Sequence, residues 1–166
     1  MTTINREIKE EFWIRLYLNQ TSDYTDGAIE RAYLDFSRTQ HGIKPDLRHE
    51  HQEIKEQIKG LIVELQTKTF DNQLQFDEWH EGKCNSLKVE YKRVKEYQLT
   101  IGQAQKWINM TLKYLFTLGE DRVKGILTNY RFFHIPIDNI IQDKLIGKIE
   151  RIKQPWSRID DYAHYL

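Results

Sequence analysis

One lysine and one aspartate have the types and settings that covalent chemistry with an amine requires. Lys106 lies in the first turns of IGQAQKWINMTLKYLF, residues 101–116, the most apolar helix-like segment of the chain. A lysine packed among apolar groups more readily presents its neutral amine, which attacks carbon and forms Schiff bases. Asp138 follows Pro136-Ile137 at a predicted helix N-cap, where backbone N–H groups hold a carboxylate ionised. Such a carboxylate takes the proton of the amine or stabilises developing positive charge.

Both residues also have an ordinary structural interpretation. The alkyl stem of Lys106 packs on the helix while its ammonium group extends to solvent. Asp138 is then a simple N-cap that satisfies the first N–H groups of its helix. Residue types and spacing alone leave the catalytic and the structural interpretations open.

The elements that position these residues are predicted to be helices. Hydrophobic periodicity indicates a single all-α domain over residues 1–166, with about eight helices and no confident β-strand. The low counts of 8 Gly and 3 Pro favour helices over a fold with many turns. The predicted helices cover about 4–19, 26–40, 45–66, a segment after 69–71 that Gly82 interrupts, a basic helix ending near Glu96, 101–118, 120–130, a helix that Asp138 opens with Ile140, Ile141, Leu145 and Ile146, and a short helix after 155–157.

Composition places the chain among globular proteins of one domain. Its 166 residues are 39% hydrophobic and 30% charged, which is typical of a chain that folds around its own core. The single cysteine, Cys84, excludes an internal disulfide framework and fits a reducing compartment. The charged N-terminus lacks the apolar core of a signal peptide, and no run approaches the length of a membrane span. We therefore expect a cytoplasmic protein without a membrane partner.

The histidines and the cysteine do not form a metal-binding pattern. His49 and His51 form an H-x-H pair, but on a helix their rings point about 200° apart. His80 and Cys84 share a helix face at i, i+4, yet two ligands do not make a zinc site. No P-loop, dinucleotide-binding glycine fingerprint or nucleophile elbow is present, so the sequence predicts neither a metal nor a cofactor.

Charge is distributed unevenly along a chain whose formal net charge is zero. Residues 83–158 contain fifteen Lys or Arg against seven Asp or Glu, a net charge of +8, which the remaining residues balance with −8. This asymmetry predicts a basic face suited to phosphate groups, unless folding intermixes the two halves. The candidate phosphate contacts lie on the basic helix: Lys88, Lys92, Arg93 and Lys95.

Two segments together resemble the helix-hairpin-helix DNA glycosylase superfamily. Ile101-Gly102 followed by QKWINMTL, residues 105–112, is similar to its glycine-containing hairpin and the helix that carries the nucleophilic lysine. HIPIDNII, residues 134–141, is similar to its V-P-V-D-x-x-V junction, whose aspartate is catalytic. The long gap between Lys106 and Asp138, with Lys113-Tyr114-Leu115, resembles the archaeal 8-oxoguanine DNA glycosylase branch. The resemblance covers about residues 95–147.

This resemblance implies a base-excision enzyme that acts on double-stranded DNA. Lys106 attacks C1′ of a flipped nucleotide, Asp138 takes the proton and stabilises the cationic sugar, and the resulting imine permits strand cleavage. Residues near the hairpin and the junction are candidates for substrate binding: Gln103, Gln105, Trp107, His134 and Trp156. The alternatives are a nucleic-acid-binding protein without catalysis and a host-defence or interaction protein on the same fold. No feature of the sequence fixes an oligomeric state or a particular lesion.

Overall fold

The computed structural model describes residues 5–19, 23–47, 51–141, 144 and 155–166. These residues form seven α-helices and no β-strand, as the sequence predicts for an all-α protein. The helices are α1 (Arg6–Tyr17), α2 (Tyr24–Ser37), α3 (Gln52–Thr67), α4 (Gln73–Lys95), α5 (Ile101–Leu118), α6 (Asn139–Ile141) and α7 (Tyr162–Tyr165). Four single 3-10 turns accompany them: Pro45–Leu47, Ile126–Thr128, Tyr130–Phe132 and Trp156–Arg158.

Helix α5 lies at the centre of the molecule. Fifteen of its eighteen residues are buried, because it packs against α2, α4, α7 and the turn Trp156–Arg158. The Trp107 ring stacks on Phe36 with 5.2 Å between ring centroids, and its indole Nε1 donates to the Ile29 carbonyl at 3.1 Å. An indole that pairs its N–H inside the core contributes a large apolar area without leaving a buried donor unsatisfied.

Helix α4 is continuous, which corrects the predicted interruption at Gly82. Asn72 caps its first turn, since the Asn72 side chain accepts from the Gln75 backbone N–H at 3.1 Å. Gly82 is exposed and has open space around its Cα, so nothing bends the helix there. The helix ends at Glu96, which adopts a left-handed φ of 53°.

The predicted helix over residues 120–130 is absent, and tight turns replace it. Gly125 has a φ of 78°, which a right-handed helix does not contain, and a Cβ there would lie 2.6 Å from the Gln66 carbonyl. The Glu120 carboxylate accepts from the backbone N–H groups of Gly125 and Leu127, at 2.6 and 3.2 Å. Local side-chain bonds and one glycine therefore override helical propensity in this segment.

Helix α1 forms as the amphipathic pattern predicts, but it contributes no buried residue. Ile8, Phe12 and Trp13 on this helix are each at least 60% exposed. The predicted helix over residues 45–66 starts later than expected: Pro45–Leu47 forms a separate 3-10 turn, and α3 begins at Gln52. The remaining differences from prediction are shifts of a few residues at helix ends, as is usual for boundaries. Ile4, His49, Leu145 and Ile146 lie outside the described residues.

Candidate active site

The first turn of α5 is fixed by a reciprocal capping box. The Gln103 backbone N–H donates to Thr100 Oγ1 at 3.1 Å, and the Thr100 backbone N–H donates to Gln103 Oε1 at 3.2 Å. This arrangement satisfies two of the N–H groups that a helix start leaves without partners. Lys106 lies one turn after Gln103 on the same side of α5, so the capping box sets the position of its side chain.

The C-terminal segment, residues 155–166, packs directly on that first turn. The Gly102 backbone N–H donates to the Ile159 carbonyl at 2.8 Å, and Thr100 Oγ1 donates to the Ser157 carbonyl at 2.9 Å. A Cβ at position 102 would overlap the carbonyl of Trp156, so only glycine permits this approach. The close contact brings the Trp156 side chain to Lys106.

Lys106 and Asp138 form a direct ion pair. Lys106 Nζ lies 2.7 Å from Asp138 Oδ2, and the two side chains are 5% and 30% exposed. The other carboxylate oxygen of Asp138 accepts from the Ile141 backbone N–H at 2.9 Å, so Asp138 also caps α6 as predicted. Two residues that are 32 positions apart in the chain therefore meet at one point.

The surroundings of Asp138 keep its carboxyl ionised. Partial burial alone would raise the pKa of Asp138, but hydrogen bonds from Lys106 and from backbone N–H groups of α6 lower it below its ordinary value. The Lys106 ammonium group also lies 5.7 Å from the centroid of the Trp156 ring. The Lys106 ammonium group therefore contacts a carboxylate that can accept its proton, and it lies near an indole ring.

A polar groove of about 490 Å³ opens beside this pair. Gln103 and Trp156 line it, and so does Asn139, the neighbour of Asp138 in the chain. Three exposed basic residues, Arg38, His41 and Arg158, lie along its edge. The groove thus adjoins the Lys106–Asp138 pair through Trp156 and the first residue of α6.

Two of the predicted substrate-binding residues belong to the core instead. Trp107 is fully buried against Phe36, which leaves no space for a nucleobase. Gln105 is also fully buried, where its Nε2 donates to the Gly102 carbonyl at 2.8 Å. Gln103 and Trp156 do line the groove, although both are mostly buried. A helix rotates by about 100° per residue, so residues close to Lys106 in sequence face different sides of α5. Gln105 and Trp107 therefore lie in the core, while Gln103 lines the groove.

His134 belongs to a partly buried chain of hydrogen bonds that the sequence did not reveal. Asn109 Nδ2 donates to Tyr165 Oη at 2.8 Å, and Tyr165 Oη is hydrogen-bonded to His134 Nδ1 at 2.9 Å. His134 Nε2 in turn pairs with the Asp77 carboxylate at 2.8 Å. His134 therefore connects α4 and α7 to the strand-like segment that leads to Asp138, and it does not line the groove.

A second branch of this hydrogen-bond network holds Tyr162, the other tyrosine of α7. His80 Nε2 donates to Asn109 Oδ1 at 2.9 Å, and its Nδ1 accepts from Tyr162 Oη at 2.7 Å. Burial, with the nearby His134 as a smaller cause, lowers the pKa of His80 to about 3, so the ring is neutral. The sequence did not indicate which residues hold the C-terminal segment in place. They are Asn109, Tyr162 and Tyr165, which resemble ordinary core residues in sequence and follow no spacing rule.

The predicted phosphate contacts on α4 have other partners. Lys95 is only 1% exposed and donates to Tyr33 Oη, which corrects its assignment to a nucleic-acid face. Lys88 pairs with Asp160 at 2.5 Å, and Arg93 pairs with Glu53 and Glu90. Lys92 is exposed, and its Nζ donates to the carbonyl of Glu96 at 3.4 Å. The acidic partners of this helix thus come from α3, from the C-terminal segment and from the helix itself.

The described residues contain no group of three or more His, Cys, Asp or Glu that could hold a metal ion. His80 and Cys84 are in contact, with 3.8 Å between Sγ and Nδ1, but both ring nitrogens of His80 already bond to Asn109 and Tyr162. Burial raises the pKa of the Cys84 thiol well above its usual range, which disfavours the thiolate that metals bind. Within the described part of the chain, no helix combines the length and apolarity of a membrane span.

Comparisons of this chain with protein-family models, with curated proteins and with solved structures find no match.

Proposed function

We propose that this protein is a DNA glycosylase with Lys106 as its nucleophile, on a fold of the helix-hairpin-helix glycosylase type. The contact between Lys106 Nζ and Asp138 Oδ2, at 2.7 Å beside Trp156, carries the proposal. The pairing of these two residues is what the resemblance implied, and their positions in the sequence did not require them to meet. The connection of residues 96–100 between α4 and α5 has the short length that a hairpin before the nucleophile helix needs.

The reaction begins with a proton transfer inside the pair. The Lys106 ammonium group gives a proton to the Asp138 carboxylate and becomes a neutral amine. The amine attacks C1′ of the target nucleotide, and the glycosidic C–N bond breaks with its electron pair going to the base. The departing base takes the proton that Asp138 holds, so the base leaves in its neutral form.

The covalent intermediate then opens to an imine. The lysine nitrogen releases its second proton to Asp138, and the bond between C1′ and O4′ breaks with O4′ taking up that proton. The product is a Schiff base between Lys106 and the opened sugar, which water hydrolyses or which loses the 3′ phosphate by β-elimination. Once the base has taken its proton, Asp138 is ionised again and stabilises the positive charge on the lysine nitrogen that is bonded to C1′.

Access to Lys106 requires a shift of its neighbours, because its side chain is only 5% exposed. A nucleotide that enters from the groove first meets Gln103 and Trp156, of which the indole offers a stacking surface for a base. Flipping of a damaged or unpaired base into such a recess is the usual way in which enzymes reach C1′.

Reductive trapping of the imine tests the proposal. The protein is incubated with duplexes that contain an abasic site or 8-oxoguanine, borohydride is added, and covalent adducts are separated on a denaturing gel. We expect an adduct with the wild-type chain and none with Lys106→Gln. Lys113→Gln is the matched control, because Lys113 is exposed on the same helix and should trap like the wild type.

The Asp138→Asn variant examines the proton transfer. It removes the acceptor next to Lys106 and should slow trapping by about 10²–10⁴-fold, the range typical of general acid–base groups. The absence of an adduct from the wild-type chain, or an adduct that persists in Lys106→Gln, would overturn the assignment of Lys106.

A second candidate function is nucleic-acid binding without catalysis, which the low exposure of the Lys106 side chain favours. A lysine that is 5% exposed and paired with a carboxylate also has the geometry of a structural ion pair. In that case Lys106→Gln binds duplex DNA like the wild type, neither traps an adduct, and both Lys106→Gln and Asp138→Asn lose folding stability.

A further inference from the structure

The groove beside Trp156 has a basic edge and no acidic lining. Arg38, His41 and Arg158 are exposed along it, and the described residues that line it include no Asp or Glu. Its other polar lining groups are hydroxyls and amides, including Thr39, Gln98 and Ser157. Such groups together with guanidinium groups suit the oxygens of a phosphodiester.

The positive charge of this groove comes from side chains. The N-terminus of α5 lies at the groove, but the first backbone N–H groups of the helix are already bonded within the protein. Ile101 donates to Asp160 Oδ1 at 3.1 Å and Gly102 donates to the Ile159 carbonyl at 2.8 Å. The positive charge at the groove therefore comes from side chains along its edge, among them the guanidinium groups of Arg38 and Arg158.

Arg38 differs from most other basic residues in its pairing. Lys83, Lys88, Arg93 and Arg122 each form an ion pair with a carboxylate. Arg38 forms none with another described residue, and it lies at the C-terminal end of α2 facing the groove. An arginine without a carboxylate partner gives up little when it binds a phosphate, because no existing ion pair has to break.

The position of the groove relates it to the reacting centre. Trp156 belongs both to the groove and to the surroundings of Lys106, since its ring lies 5.7 Å from Lys106 Nζ. A nucleotide placed at Trp156 carries its own flanking phosphates, and the basic residues line the same groove as Trp156.

We propose that Arg38, His41 and Arg158 bind the phosphodiester backbone of the DNA strand whose nucleotide enters the site beside Trp156. This inference rests on the proposed function for the identity of the strand, and it replaces the contacts predicted for α4. Phosphate contacts of this kind position the strand and carry no sequence information.

The salt dependence of binding tests the inference. Affinity for a fluorescein-labelled duplex with a tetrahydrofuran abasic analogue is measured by fluorescence anisotropy between 50 and 200 mM salt, using the full chain. Each lost phosphate contact lowers the slope of log K against log salt by about 0.9. The double variant Arg38→Gln with Arg158→Gln should lower that slope by about 2 and weaken binding at least about tenfold.

Two matched variants separate a local contact from a change in net charge. Lys92→Gln with Arg93→Gln removes the same two charges from α4 and should change the slope by much less. Arg38→Lys with Arg158→Lys keeps both charges and should retain most of the slope. All substituted positions are exposed, and circular dichroism checks that each variant folds.

Several outcomes would overturn the inference. Equal slopes for the two glutamine double variants would mean that the loss of affinity reflects net charge and not a contact in the groove. If the wild-type chain does not bind the duplex, the groove is not a site for the DNA backbone. Displacement of the duplex by inorganic phosphate, but not by chloride at equal ionic strength, would make this a site for free phosphate. Imine trapping is a separate readout. If an adduct forms but the salt slopes do not change, only the assignment of the basic edge is wrong. If the slopes change but no adduct forms, only the glycosylase proposal is wrong.

Discussion

At the scale of single residues, the described part of the chain contains two buried lysines with different surroundings. Lys95 is 1% exposed and lies against the rings of Tyr33 and Tyr91, at 5.5 and 5.7 Å from their centroids. Lys106 is 4% exposed and meets a carboxylate, an indole and a groove. Burial alone therefore does not distinguish a candidate nucleophile. In the sequence, Lys106 was selected as a candidate nucleophile because Asp138 was a plausible partner. Lys95 was predicted to lie on a nucleic-acid-binding surface, and it is buried instead.

The buried ring of His80 makes stability depend on pH. In the unfolded chain its pKa is near 6.5 and in the folded chain it is about 3, so between these values only the unfolded state binds the proton. The stability associated with neutral His80 is fully present above pH 6.5 and is lost as pH falls toward 3. We expect a loss of about 1 kcal/mol per pH unit in this window.

Urea titrations between pH 7.5 and pH 4.5 measure this effect. The His80→Gln variant lacks the titrating ring, and the difference in free energy of unfolding between it and the wild type should shrink by about 1 kcal/mol for each pH unit below 6.5. The neighbours of the ring, including His134 and Tyr162, are present in both chains. A difference that does not change with pH would contradict the prediction.

At the scale of elements, the sequence predicts helices well and their interruptions poorly. The long apolar stripe of α5, its Thr100 cap and its glycine stop all appear where periodicity and capping rules place them. Gly82 and Gly125 show the limit of those rules, because Gly82 lies inside a continuous helix and Gly125 interrupts a predicted one. The difference arises from tertiary neighbours: open space surrounds Gly82, and the backbone of Gln66 crowds Gly125.

Alanine at two helical glycines should have opposite effects. Gly82→Ala adds a methyl group to open space in the middle of α4 and should stabilise the fold by about 0.5–1 kcal/mol. Gly102→Ala drives a Cβ into the carbonyl of Trp156 and should destabilise the fold by about 1–3 kcal/mol. Thermal or urea midpoints of the two variants measure these changes. A neutral Gly102→Ala would mean that the C-terminal segment moves away from α5 at no cost.

At the scale of the whole molecule, folding mixes the acidic and the basic halves of the sequence. Pairs such as Lys83 with Glu64, Arg93 with Glu53 and Arg122 with Glu10 join residues of opposite halves. The broad basic face that the +8 segment suggested is thereby reduced in the described residues. Charge counts along a sequence carry no information about such pairing, because the pairing depends on how the helices pack.

Stability should be unevenly distributed between α5 and α1. Amide protons of α5 are expected to exchange only through global unfolding, because fifteen of its eighteen residues are buried. Those of α1, which buries none of its residues, should exchange through local opening. Hydrogen exchange followed by mass spectrometry of peptides 101–118 and 6–17 measures both. Protection of α1 equal to that of α5 would contradict this distribution.

The single cysteine of the chain gives it a practical property. Cys84 is fully buried and its thiol has a raised pKa, so alkylating reagents should leave the folded protein unmodified. One engineered thiol on the C-terminal segment, for example Ala163→Cys at an exposed position, would then be the sole site for a fluorophore or spin label. The native chain is therefore already a background for labelling in which movement of Trp156 away from Lys106 is observable in real time.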